Sequence, residues 1–240
     1  MSVHLVGGGA TTGTDAPLYA PFVAEAVLRG GAAGRARPRI AVISLHPEAQ
    51  KAAALADLLV AAGSGAEIEV QLTAGRPGEP IGLAAIADVD GIAVGGGLVE
   101  EVRAGLEPVF GELRRLVAGG VPYLGVSAGA MIAAEGSLGS GSRIGGVLVA
   151  PEDPAEPGFE LEIEAGIGLV DVAIEVHVAE RGMLSRLVAA VESGLVGGGL
   201  GIDERTALIV GDGGLQVAGR GSVWRVLPAD QGVLVSTIGA

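Results

Sequence analysis

The sequence predicts an α/β protein, a mostly parallel β-sheet flanked by helices with an antiparallel extension toward the C-terminus. Three observations carry this. Apolar runs of strand length in the first half, such as "RIAVISL" and "GIAVGGG", lack polar alternation, as strands buried on both faces do. Each such run is followed by a segment of helical periodicity, which parallel strands need for their crossovers. From residue 199 onward the pattern changes to short strands separated by glycine turns, as in "GLGIDERTALIVGDGGLQVAGRG".

Taken in order, "SVHLVGG" reads as the first strand and "PFVAEAVLRG" as a helix closed by glycine. "RPRIAVISL" is a buried strand, "PEAQKAAALADLLVAAG" a helix with proline in its first turn, and "AEIEVQLTA" a third strand. "GLAAIADV" is a short helix leading into the strand "GIAVGGG". "LVEEVRAGLEPVFGELRRLVAGG" is helical with a break at Pro108, which has no amide hydrogen to donate. "VPYLGVS" is then a strand and "AGAMIAAE" a helix. "SLGSGSRIGG" and "APEDPAEPGFE" are turn-rich and read as loops near the site. "DVAIEVHVA" is a strand and "ERGMLSRLVAAVES" a helix. No repeat or low-complexity linker divides the chain, so residues 1–240 are expected to form one domain.

Composition narrows the function. Hydrophobic residues make up 49% of the chain, enough for a large core and too many for disorder. No apolar run has the length of a spanning helix, and "MSVHLVGGG" lacks the basic start and apolar stretch of a secretion signal. A cytoplasmic protein with no membrane partner is expected. The absence of cysteine excludes thiolate metal sites and cysteine nucleophiles, and no metal or cofactor motif is present. A net charge of −13 argues against nucleic acid as partner, which requires a basic face.

Gly125-Val126-Ser127-Ala128-Gly129 fits G-x-S-x-G, with a strand before it and a helix after it. Such a turn is tight enough to demand glycine two residues either side of the serine. It lifts the hydroxyl off the sheet while the helix start aims unpaired N–H groups at the same point. Ser127 is therefore the candidate nucleophile and Ala128 N–H a candidate oxyanion donor. A hydroxyl needs a base. Of the three histidines, only His177 follows Ser127; His4 lies at the wrong end of the first strand, and His46 lies at the right end but in a loop before proline. A carboxylate must hold the imidazole's tautomer, and Asp171, Glu175, Asp203 and Glu204 remain open, with the last two favoured by their place at a strand end. The Gly95-Gly96-Gly97 loop offers a second backbone donor close to a bound carbonyl. Gly7–Gly9 lacks the full spacing of a phosphate loop.

Together "GVSAGA", "GIAVGGG", "VHVAERGMLSRL" and "GIDERTAL" resemble the serine peptidases of family S51, which includes aspartyl dipeptidase and cyanophycinase, and the spacing is closer to cyanophycinase. The resemblance implies a fold like class I glutamine amidotransferases and a Ser-His-Glu triad of Ser127, His177 and Glu204. It implies Ala128 with Gly96 and Gly97 as the oxyanion hole, and Arg181 and Arg186 as substrate-binding residues. It also implies a small peptide or cyanophycin-like substrate and a homodimer. Val176 and Met183 stand where cyanophycinases carry polar residues, and Leu98-Val99 follows the glycine loop in place of a polar pair. Two rival readings are a serine esterase of α/β-hydrolase type using Asp171, and an amidotransferase-like binding module that has lost catalysis.

Overall fold

The computed structural model describes residues 2–152 and 159–239. Part of the "APEDPAEPGFE" loop therefore lies outside the described residues. In chain order the strands are β1 (Ser2–Val6), β2 (Arg39–Ser44), β3 (Glu69–Ala74), β4 (Gly91–Val94), β5 (Tyr123–Val126), β6 (Gly136–Leu138), β7 (Arg143–Ile144), β8 (Val147–Leu148), β9 (Ile163–Ala165), β10 (Ala173–Val176), β11 (Gly199–Ile202), β12 (Thr206–Gly211), β13 (Gly214–Gly219), β14 (Ser222–Ala229) and β15 (Gly232–Gly239). The helices are α1 (Ala16–Ala32), α2 (Ala49–Ala62), α3 (Val99–Leu106), α4 (Phe110–Ala118), α5 (Ala128–Met131), α6 (Val178–Arg181) and α7 (Leu184–Glu192).

The central sheet has seven strands in the order β13-β12-β1-β5-β4-β2-β3. From β1 to β3 all neighbours are parallel, and β12 and β13 add an antiparallel edge. Both faces are covered, which explains the missing polar alternation. Tyr19, Phe22 and Val23 of α1 and Leu55, Leu58 and Leu59 of α2 pack with Val6, Ile40, Val42 and Leu124 on one face. On the other, Leu5, Ile43, Val94 and Tyr123 pack with α3, α4 and α5.

Several expectations are corrected. "DVAIEVHVA", the strand Gly199–Ile202 and the last two strands do not extend the central sheet. They build a second, four-stranded sheet, β10-β11-β14-β15, in which β10 and β11 are parallel and the rest antiparallel. Ile174, Val176, Leu200, Ile202, Val223 and Val226 of this sheet share one core cluster with the central sheet. The "SLGSGSRIGG" segment carries the end of β6, all of β7 and the turn that leads into β8. "GLAAIADV" forms only one 3-10 turn, Leu83–Ile86. The first helix starts at Ala16, five residues before Pro21, with Pro17 in its first turn. The break at Pro108 is a 3-10 turn, Glu107–Val109, between α3 and α4. Among the described residues no helix is long and apolar enough to cross a membrane.

Candidate active site

β5 ends at Val126 and α5 begins at Ala128, so Ser127 alone makes the reversal, at φ 55° and ψ −117°. A left-handed, non-glycine residue of this kind carries strain that the surrounding structure must hold. The glycines on either side are sterically required. A Cβ on Gly125 would lie 2.2 Å from the Gly129 carbonyl oxygen, and one on Gly129 would lie 2.4 Å from that of Val94. Packing and Tyr123, whose hydroxyl donates to the Gly129 carbonyl at 2.7 Å, keep the turn closed.

His177 follows β10 directly and is also left-handed, at φ 53°. Its Nε2 lies 2.9 Å from Ser127 Oγ. Its Nδ1 lies 2.7 Å from Glu204 Oε1. A carboxylate only accepts, so Nδ1 carries the proton and Nε2 accepts from the serine hydroxyl. Burial holds the imidazole's pKa below its ordinary value, and the nearby Arg181 charge pushes the same way, partly offset by Glu204 and Glu175. The ring is therefore neutral near pH 7 and available as a base.

Of the four candidate carboxylates, Glu204 is the one bonded to His177 Nδ1. Asp203 is buried and spends its oxygens elsewhere, accepting from the Ala179 and Ser222 amides and from Trp224 Nε1. It ties the start of α6 to β14. Glu204, one residue on, faces the imidazole, and its own amide donates to Glu180. Asp171 precedes β10 at the end opposite His177 and lines a separate cavity with Glu135 and Glu164. Glu175 points inward from β10 and is fully buried.

Arg186, expected at the substrate, is instead buried and bidentate on Glu175, at 2.7 and 2.9 Å, with a further donation to the Gly141 carbonyl. A buried carboxylate on a strand demands a forked cation, and α7 supplies it. Arg181 is exposed on α6 and close enough to depress the His177 pKa. His46 lies at the carboxyl edge of the sheet but is not brought to Ser127; its Nδ1 accepts the Glu48 amide. His4 is buried, with Ser2 and Glu25 as partners.

The group that sequence reasoning missed is Gly7–Gly9. Residues 6–8 hold all three segments of the site by backbone bonds: Ser127 N–H to the Val6 carbonyl, His177 N–H to Gly7, and Arg205 N–H to Gly8. The imidazole and Glu204 rest directly on this loop. A Cβ on Gly8 would meet His177 Cε1 at 2.2 Å, and one on Gly9 would meet Glu204 Oε2 at 2.2 Å. The available signal was three glycines at the carboxyl end of a central strand, where sites in such sheets gather. Gly96 faces the serine, its Cβ direction ending 3.1 Å from Ser127 Cβ. Among the described residues the Gly96, Gly97 and Ala128 amides have no acceptor.

A polarised hydroxyl, a neutral imidazole and an orienting carboxylate in series can perform nucleophilic acyl transfer. Among the described residues no cluster suits a metal ion.

Comparison with known proteins finds chains similar to this one. A cyanophycinase from Synechococcus elongatus is 35% identical over 153 residues, covering 62% of this chain and 45% of the cyanophycinase. The chain thus aligns with less than half of that relative's length. The crystal structure of a peptidase from an acI-B1 Actinobacterium superposes with a TM-score of 0.66 at 16% identity, covering 99% of this chain and 96% of that one. A putative peptidase E protein from Listeria monocytogenes EGD-e gives 0.58 at 16% identity, covering 92% and 98%. These two share the fold. The pattern of Peptidase family S51 matches residues 64–218, a span that holds the serine turn, His177 and Glu204. By that match, the chain belongs to peptidase family S51.

Proposed function

We propose that the protein is a serine-type peptidase that hydrolyses an amide bond of aspartyl-type or cyanophycin-like peptides. The observation that carries this is the unbroken relay from Ser127 Oγ through His177 to Glu204, with links of 2.9 and 2.7 Å. Ser127 Oγ attacks the scissile carbonyl carbon as His177 Nε2 takes its proton. The C–N bond then breaks, with the same proton passing to the leaving amine. The Ser127 ester that remains is hydrolysed by water through the same steps, which returns the proton to Ser127. Glu204 keeps Nδ1 protonated and stabilises the imidazolium while it exists.

The Ala128 amide, with Gly96 and Gly97, faces the oxygen on which negative charge develops. Loss of one such donor costs about 10²–10³-fold in kcat, which makes the loop worth as much as positioned acid–base catalysis. The S51 relatives named cyanophycinase, and the apolar residues Val176 and Met183 in place of polar ones, support an aspartyl peptide class with a less polar surround. The test is hydrolysis of α- and β-aspartyl dipeptides, β-Asp-Arg and cyanophycin, together with labelling of Ser127 by a fluorophosphonate. Ser127→Ala loses both while keeping its fold. Retained hydrolysis in that variant, or no labelling of folded wild type, overturns the reading.

A further inference from the structure

Beside the serine, across the Gly95–Gly97 loop, lies a second cavity of about 470 Å³. It is formed where β2 and β3 end, and Ser44, His46, Arg76 and Glu79 give its wall a polar character. Two of its lining residues adjoin the proposed oxyanion loop: the Cβ direction of Gly95 ends 3.6 Å from Ser44 Oγ, and that of Gly97 ends 4.0 Å from His46 Cα.

The wall is rich in donors. Ser44 is only 4% exposed, and among the described residues its hydroxyl has no hydrogen-bond partner. His46 Nδ1 accepts the Glu48 amide at 3.0 Å, so in the neutral ring the proton sits on Nε2. Arg76 adds a guanidinium, a group whose fork matches a carboxylate. The acid in the wall, Glu79, already accepts the Arg76 backbone amide at 3.1 Å. A hydroxyl, an imidazole N–H and a guanidinium around one space select an anion.

The distance selects its place in a substrate. Order β5-β4-β2 puts two strand spacings between the end of β5, at Ser127, and the end of β2, at Ser44. At about 4.8 Å each this is roughly 10 Å. An extended peptide covers about 3.3–3.6 Å per residue, so the cavity lies about three residues from the attacked carbonyl.

Resting on the peptidase reading above, we propose that this cavity is a distal subsite for the C-terminal carboxylate of an aspartyl peptide, held by Arg76, Ser44 and His46. For cleavage after a first aspartyl residue, a tetrapeptide places its C-terminus there. The subsite then distinguishes short acidic peptides by length and by their free end, a selectivity that the catalytic relay itself does not supply.

The probes are an aspartyl tetrapeptide with a free C-terminal carboxylate and the same peptide as its amide. Binding is measured by calorimetry on Ser127→Ala and on Ser127→Ala/Arg76→Ala, and KM and kcat on wild type. The free acid is expected to bind about tenfold more tightly than the amide, the scale of one charge-assisted hydrogen bond, and Arg76→Ala erases the difference. In wild type the same factor appears in KM and not in kcat. Arg76 is exposed, so its loss leaves the fold intact. Equal affinity for acid and amide, or a preference that survives Arg76→Ala, overturns the subsite, whether or not the peptides are hydrolysed. Carboxylate-dependent binding without hydrolysis by wild type supports the subsite and overturns the peptidase reading instead.

Discussion

Gly8→Ala is a severe test, because it adds one methyl group and removes no functional atom. Gly8 has φ 102°, and an alanine Cβ there would sit 2.2 Å from His177 Cε1. Restoring ordinary contact, about 3.4 Å, requires the ring or the loop to move by about 1.2 Å. The imidazole begins 2.9 Å from Ser127 Oγ and 2.7 Å from Glu204, so a shift of that size breaks at least one link. A misplacement of about 1 Å at a reacting group costs about 10²-fold. The left-handed backbone adds about 1–2 kcal/mol of instability for a residue with a Cβ. The fluorophosphonate labelling rate of Ser127 reads the nucleophile without presuming a substrate, and urea unfolding reads the fold. Expected are labelling slowed by about 10²-fold and a folded protein. Gly31→Ala is the control, since nothing lies within 4 Å of its added Cβ. Labelling within a few-fold of wild type in Gly8→Ala refutes the argument that this loop seats the base.

Further outcomes follow from the same geometry. Because burial and Arg181 lower the His177 pKa, the acid limb of the labelling rate lies below pH 6.5, and Arg181→Ala moves it to higher pH; an unmoved limb removes Arg181 from the site's electrostatics. The same depression, shared by buried His4, means that the unfolded chain binds protons the folded one does not. Stability is then full above about pH 6.5 and falls on acidification below it, which thermal unfolding from pH 7 to 5 tests. Arg186→Met leaves the buried Glu175 charge unpaired and costs about 3–5 kcal/mol, while Glu175→Leu/Arg186→Met recovers most of it; a neutral single variant would return Arg186 to the substrate. Ser127→Gly relieves the positive φ and unfolds at higher denaturant than Ser127→Ala by about 1 kcal/mol.

What the sequence revealed depended on how local each signal was. The serine turn could be found from five residues, since its sterics are written in Gly125 and Gly129. The parallel strands β1, β2, β4 and β5 were legible because each is largely apolar and followed by a helix, whereas β3, "EVQLTA", at the sheet edge, alternates polar and apolar residues. The second sheet was not, because "DVAIEVHVA" has the same apolar character as a central strand, and nothing within it says which neighbour it will pair with. Glu204 was reached only through family resemblance; by residue type alone Asp203 was equally good, and the difference lies in the three donors that Asp203 meets on α6 and β14. Arg186 misled for a related reason. On a helix it reads as a solvated residue or a substrate contact, and only Glu175, eleven residues earlier on another element, explains its burial.

The serine, the histidine and the carboxylate come from three separate junctions: β5 to α5, β10 to α6, and β11 to β12. They also belong to different sheets, since β5 is central while β10 and β11 lie in the second. Side-chain bonds of 2.9 and 2.7 Å alone would be a weak way to hold such parts in register, because each is remade or lost with every rotamer change. The backbone of residues 6–8 supplies the rigid reference instead, accepting one amide from each of the three junctions. β1 is suited to this, lying buried between β5 and β12 with its end at the meeting point of both sheets. Glycine is required there because only a backbone without Cβ atoms leaves room for the imidazole and the carboxylate to lie on it. The relay is therefore positioned by the first strand of the chain, which contributes no reacting atom to it.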